Sequence, residues 1–130
     1  MRDNIGLYRG KRKDNGEWVE GYYVHQYGAD MIYLPDGTDR EYGFDYHHID
    51  PETVGQFTGL NVGGDKLFEG HIVEYNEEYG EIVYDKETAR FMVEFDTWCI
   101  DFDHINPNEL EIIDNIHDNP ELLKGRVENE

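Results

Sequence analysis

The feature that most constrains the fold of this chain is a series of short runs rich in β-forming residues, with turn signals between them. Such runs occupy residues 66–75, 80–84 and 90–95, and polar residues at 76–79 and 85–88 separate them. In the last run, large apolar side chains alternate with other residues, as expected where one face of a sheet meets the core. The pattern predicts a three-stranded antiparallel meander.

Two further runs, at residues 98–102 and 110–116, follow the meander. A small SH3-like barrel accommodates five short strands better than an open sheet, because closure removes exposed strand edges. In residues 90–95 we expect Phe91, Val93 and Phe95 to share the core face.

The first third of the chain also reads as short strands. Residues 6–10 and 18–25 flank the Asp-Asn-Gly turn signal at 14–16, which predicts a hairpin. Another strand is predicted at 30–34, ending at the Pro-Asp-Gly turn of 35–37.

Short helical turns are the only helices predicted. Asp50 is placed as an N-cap with Pro51 at the first helical position. Asn119 is placed as the cap of a similar turn that contains Pro120. Residues 61–65 contain two glycines and are predicted to be a loop.

We therefore predict a mainly β protein. Residues 1–60 form an N-terminal β-hairpin-rich region, and residues 61–125 form the SH3-like barrel, packed together as one cooperative unit. The chain is 38% hydrophobic and 14% aromatic, which is enough bulky apolar material for a core.

The chain is strongly acidic. Thirty Asp and Glu oppose eleven Lys and Arg, for a net charge of −19, and residues 14–123 carry only four of the bases. A field of this sign repels phosphate backbones, so direct nucleic-acid binding is disfavoured and a basic partner is favoured. The competing explanation, to which we give the greater weight, is that the charge serves only to keep the protein soluble.

The lone Cys99 excludes an internal disulfide and a zinc site built from several thiolates, and between Trp98 and Ile100 it resembles a small core residue. No run reaches the roughly 20 apolar residues that span a bilayer, and the first residues lack a signal-peptide pattern. We expect a cytoplasmic protein that contacts no membrane.

The weak candidates for metal ligands are Asp101, Asp103 and His104, since strand alternation would place the two carboxylates on one face of the sheet. More commonly, this pattern indicates an acidic strand face that is exposed to solvent. No phosphate-binding loop, nucleophile elbow or metalloprotease helix is present, so we expect neither a cofactor nor enzymatic activity.

Tyrosines are concentrated in the N-terminal third, where a small core cannot enclose them all. Tyrosine suits protein contacts because it offers apolar area together with a hydrogen-bonding group. The alternative is that they fill a thin core or a subunit interface, which would make the protein a homo-oligomer. The candidate partner-binding tyrosines are Tyr22, Tyr23, Tyr27 and Tyr33.

A second candidate is the polar, glycine-rich segment 50–60. It could present Glu52, Gln56 and Thr58 to a partner. The competing explanation, which we favour, is structural: Asp50 and Thr53 act as caps while the glycines permit tight turns.

Three motifs in this order resemble the YopX family of phage and prophage proteins: IDPETVGQFTGL at 49–60, KLFEGHIV at 66–73 and NIHDNPELL at 115–123. His71 stands where the family usually has Asp, and Asp114 where it usually has Gly. The resemblance implies a mostly β fold with an SH3-type barrel in its C-terminal part, and it implies no particular activity.

Three functional hypotheses remain. The first is a non-enzymatic accessory protein that binds a host or phage protein, or itself. The second is an acidic inhibitor that imitates DNA and occupies the basic groove of a nucleic-acid-binding protein. The least favoured is a metal-binding or weakly enzymatic protein.

Overall fold

The computed structural model describes residues 6–34 and 46–123. These residues are mainly β and form two antiparallel sheets. The chain divides into two compact units, residues 1–57 and 58–130. The strands are β1 (Leu7–Lys11), β2 (Trp18–Gln26), β3 (Ala29–Tyr33), β4 (Tyr46–His48), β5 (Gly55–Val62), β6 (Asp65–Phe68), β7 (His71–Tyr75), β8 (Glu78–Asp85), β9 (Arg90–Glu94), β10 (Cys99–Asp101) and β11 (Glu111–Asn115).

Strand order in the first sheet is β4-β3-β2-β1-β5-β6, and in the second β10-β9-β8-β7-β11. Helical segments in the described parts of the chain are neither long nor apolar enough to cross a membrane. The predicted turn at 35–37 and the tail after residue 123 lie outside the described residues.

The first unit contains the predicted β1–β2 hairpin. Its turn is closed by the Arg12 amide, which donates to the Glu17 carbonyl at 2.9 Å, and by Asn15 Oδ1, which accepts from the Glu17 amide at 2.9 Å. Ile32 and Ile49 are fully buried and form the centre of the unit's core. The hairpin prediction is confirmed.

Segment 50–60 contains a strand that the sequence did not reveal. The predicted helical turn is present as a 3-10 helix, Pro51–Thr53, but β5 follows at once and its first residues pair with β1. The predicted loop at 61–65 is present only as a turn at Gly63 and Gly64, since β5 continues through Val62 and β6 begins at Asp65. Glycine lowers strand propensity in isolation, whereas in the sheet β5 is stabilised by its two neighbours, β1 and β6.

The second unit contains the predicted meander, because β7, β8 and β9 are consecutive antiparallel neighbours. The predicted alternation is confirmed in part: Val93 is fully buried and Phe95, just after β9, is 3% exposed, whereas Phe91 is only half-buried, like Met92. Residues 66–75 are two strands instead of one, because Gly70, at φ +95, interrupts the run. The core of this unit comprises Val62, Leu67, Val73, Ile82, Val93, Phe95, Ile105 and Leu110.

No closed barrel is detected in the described parts of the chain, where β10 and β11 stand at the two edges of the second sheet. The SH3-like closure therefore remains a prediction. The mainly β class is confirmed.

His71, one of the two departures from the family pattern, has a structural role. Its side chain is buried at 8% exposure, and its Nδ1 accepts a hydrogen bond of 2.9 Å from the Phe68 amide. Only a ring with an unprotonated Nδ1 can accept this bond. An aspartate carboxylate, which the resemblance implies at this position, could accept from the same amide.

Replacing His71 with leucine is expected to destabilise the protein by about 2 kcal/mol, because the buried Phe68 amide loses its acceptor. His71→Asn, whose Oδ1 can take the place of Nδ1, is expected to cost clearly less. Urea denaturation followed by circular dichroism measures both. Equal losses for the two variants would show that the hydrogen bond contributes nothing.

Asn115 organises the third family motif. It is 6% exposed, and its Oδ1 accepts from the His117 amide at 3.0 Å and the Asp118 amide at 2.9 Å. Its Nδ2 donates to Asp118 Oδ2 at 2.9 Å. Asp114, the second departure from the family, accepts from the Asn115 amide and the Asn119 side chain, beside a register shift between β11 and β7.

Candidate functional site

The register of the first unit places three tyrosines in one row across neighbouring strands. Tyr22 of β2 lies opposite Tyr33 of β3, which lies opposite Tyr46 of β4. The rings of Tyr33 and Tyr46 stack with their centroids 5.1 Å apart. Directly opposed residues share a sheet face, so Tyr22, Tyr33 and Tyr46 form what we call the tyrosine row.

Exposure differs along the tyrosine row. Tyr22 is 46% exposed, whereas Tyr33 and Tyr46 are half-buried. Tyr46 was not among the predicted contact residues. Its place in the row depends on pairing between β3 and β4, which local sequence patterns do not reveal.

Tyr27 lies at the tip of the β2–β3 hairpin and is 96% exposed. The two-residue turn requires positive φ at both positions, and Tyr27 has φ 54 and Gly28 φ 75. This backbone conformation is readily adopted by Asn, Asp and Gly, whereas in a tyrosine it is sterically strained. A strained, solvent-exposed aromatic residue at a hairpin tip therefore marks a candidate contact point.

Tyr23 does not belong to the tyrosine row, because alternation along β2 places it on the opposite face from Tyr22. Its ring lies 5.6 Å from that of Tyr8, and its hydroxyl donates to Asp30 Oδ1. His25 Nδ1 also lies 2.9 Å from Asp30 Oδ1. Tyr23 therefore contacts Tyr8 and Asp30 on one face of the sheet, whereas Tyr22 lies on the other face.

These contacts perturb the ionisation of both partners. The hydrogen bond to Asp30 raises the pKa of Tyr23 to about 12. The same hydrogen bond, followed by that of His25, lowers the pKa of Asp30 below its ordinary value.

Tyr23 should consequently ionise at a pH about two units higher than an ordinary tyrosine does. Because the folded pKa is raised, its stabilising contribution is complete below pH 10 and is lost as the pH rises toward about 12. The difference in ultraviolet absorbance between the wild type and Tyr23→Phe, followed against pH, measures this ionisation. With Asp30→Asn in both proteins, the midpoint is expected to move toward 10; an unmoved midpoint would exclude Asp30 as the cause.

The residues predicted in segment 50–60 have different environments. Asp50 accepts from the Glu52 amide at 3.1 Å and caps the 3-10 helix, as predicted. Thr53 is not a cap: it is the last residue of this helix, and its Oγ1 accepts from the Lys11 amide of β1 at 2.9 Å. Glu52 is exposed, while Gln56 is half-buried in β5. Thr58 Oγ1 donates to the Leu67 carbonyl at 2.9 Å. The structural explanation accounts for Asp50, Thr53 and Thr58.

In the second unit, the acidic cluster takes a form that differs from the predicted strand. β10 ends at Asp101, which caps the 3-10 helix Phe102–His104, so Asp103 does not continue the strand. Asp101 Oδ1 accepts from the Asp103 amide at 3.0 Å and lies 2.8 Å from His104 Nδ1. Asp101 Oδ2 pairs with Arg90 at 3.0 Å. The prediction that strand alternation places Asp101 and Asp103 on one face is wrong.

The hydrogen bond from His104, followed by that of Arg90, lowers the pKa of Asp101. Within residues 6–34 and 46–123, no group of three or more His, Cys, Asp or Glu side chains is arranged to hold a metal ion. Cys99 is exposed, contrary to the expected core position, because β10 is an edge strand.

Asp101 and Asp103 border a cleft of about 420 Å³ in the second unit. Most of its lining is apolar, which the sequence did not indicate because the contributing residues come from β5, β9 and the segment after β10. The apolar lining residues are Leu60, Phe91, Phe102, Ile105 and Pro107.

Comparison with known proteins adds one match. The family model described as YopX protein matches residues 7–124. No curated protein and no solved structure matches significantly. Because the match covers nearly the whole chain, this protein belongs to the YopX family.

Proposed function

We propose that this protein is a phage or prophage accessory protein that binds another protein through the tyrosine row and Tyr27. The observation that carries the proposal is Tyr27, a 96% exposed aromatic side chain held at positive φ. Selection for stability alone favours Asn or Gly at such a position. A benefit from contact with a partner offsets the steric cost.

The tyrosine row supports the same function. Tyr22 is 46% exposed and lies beside the stacked pair of Tyr33 and Tyr46. Aromatic residues packed against each other lose little side-chain entropy when a partner covers them, and their hydroxyls remain able to form hydrogen bonds. A second copy of the chain is one partner that such a surface accommodates.

Tyr27→Asn separates binding from stability. We expect it to stabilise the fold by about 1 kcal/mol, because asparagine tolerates the left-handed conformation. We expect the same variant to lose most of the partner recovered when the tagged wild type is used for affinity capture from bacterial lysate. Denaturation and quantitative mass spectrometry measure the two effects.

The matched control is Glu77→Asn. Glu77, at φ 67, occupies an equivalent two-residue turn between β7 and β8 in the second unit. It should gain similar stability and retain the partner. Full retention by Tyr27→Asn and by Tyr22→Ser would refute the tyrosine surface. A basic partner that both retain and that high salt releases would support the DNA-mimicking alternative instead.

A further inference from the structure

The cleft of the second unit has the volume of a ligand site. Its volume of about 420 Å³ falls within the usual range, and five of its nine lining residues are apolar. Phe102 packs against Phe91 at 6.0 Å, and Phe91 packs edge-on against Tyr84 at 5.2 Å. Because Tyr84 is 39% exposed, the aromatic surface continues out of the cleft.

The polar groups of the cleft are mostly engaged within the protein. Thr58 is bonded to the Leu67 carbonyl, and Asp101 is bonded to Arg90, to the Asp103 amide and to His104. Asp103 differs, since its carboxylate is exposed and accepts no hydrogen bond from the described residues. The cleft therefore offers an apolar lining and one available carboxylate.

The net charge of the second unit determines whether a cationic or an anionic ligand is favoured in the cleft. Residues 58–123 contain seventeen Asp and Glu against Lys66, Lys86 and Arg90, a net charge of −14. The one cation that lines the cleft, Arg90, is paired with Asp101 at 3.0 Å. An anionic ligand is repelled by this field, whereas a cationic one is attracted.

We propose that the cleft binds an extended segment of a partner protein, which places an aliphatic side chain on the apolar lining and an adjacent lysine or arginine at Asp103. The aliphatic group gains by leaving water, and the neighbouring cation pairs with the carboxylate at the rim. This inference goes beyond the proposed function, because it concerns a different surface and holds even if the tyrosine row binds nothing.

The test uses the full chain, labelled with nitrogen-15, and a synthetic peptide, acetyl-Gly-Leu-Arg-Gly-amide. Titration is expected to shift the amide resonances of Leu60, Phe91 and Asp103, with a dissociation constant on the order of 1 mM. A peptide with glutamate in place of arginine should bind at least about tenfold more weakly, as expected for the loss of a charge-assisted contact. Tyr27→Asn should bind the arginine peptide like the wild type.

Asp103→Lys and Glu111→Lys change the net charge equally, and both side chains are exposed. We expect Asp103→Lys to weaken binding about tenfold or more and Glu111→Lys to change it less than about twofold. Equal binding by the two variants, absence of shifts at about 5 mM peptide, or preference for the glutamate peptide would overturn the proposal. Shifts of the same resonances on concentrating the protein alone would identify a second copy as the occupant and would overturn it too.

Discussion

Replacing Gly21 with alanine is expected to destabilise the protein by about 3 kcal/mol, because the added methyl group has no space. A Cβ at this position would lie 2.1 Å from the Tyr33 carbonyl oxygen and 2.8 Å from Ile32 Cγ2. The carbonyl belongs to the adjacent β3 strand, so relief requires the sheet itself to move. Urea denaturation followed by circular dichroism measures the loss.

Gly10→Ala is the matched control for this prediction. Its Cβ would meet Ile49 Cδ1 at 2.9 Å, which is the end of a flexible side chain and can move. We expect a loss of no more than about 1 kcal/mol. If the two variants were equally stable, the close approach of the β3 backbone at Gly21 would not be a determinant of the fold.

Asn115→Ala is the second substitution with a large expected effect, a loss of about 3 kcal/mol. The change removes the acceptor of two backbone amides, those of His117 and Asp118, and the donor to the Asp118 carboxylate. Because Asn115 is only 6% exposed, water cannot readily replace these partners. Thermal and urea denaturation measure the effect.

Asn106→Ala provides the comparison, since Asn106 caps the 3-10 helix Pro107–Glu109 from an exposed position. Its loss should be about 1 kcal/mol, the ordinary cost of removing a cap. Asn115→Asp should fall between the two alanine variants, because it keeps an acceptor but places a third carboxylate beside Asp114 and Asp118. An Asn115→Ala variant no less stable than Asn106→Ala would contradict a structural role for the family motif.

The family motifs and the proposed contact surfaces overlap only in part, at Thr58 and Leu60, which belong to the first motif and line the cleft. In the motifs, Asp50, Thr53, His71 and Asn115 make hydrogen bonds that hold turns and strand ends. Tyr22 and Tyr27, in contrast, expose much of their side chains. The polar residues of the three motifs therefore hold turns and strand ends, whereas Tyr22 and Tyr27 lie outside these motifs but within the matched residues 7–124.

Local sequence patterns were sufficient to predict the mainly β class, the β1–β2 hairpin, the meander and the helical turn at Pro51. Each depends on residues within one turn or strand, where Gly and Pro restrict the backbone and side chains alternate. The Asn115 network was accessible only as a family motif, because its burial is not visible in the sequence.

Tertiary structure decided the remaining features. Strand β5 pairs with β1 through its first two residues and has β6 as its other neighbour, and the Lys11 amide donates to Thr53 Oγ1 across 42 positions of the chain. The tyrosine row depends on the register of β2, β3 and β4, and the cleft on contacts among β5, β9 and the segment after β10. The physical reason is that strand register and side-chain burial depend on contacts between distant segments, whereas turns and alternation depend on neighbouring residues.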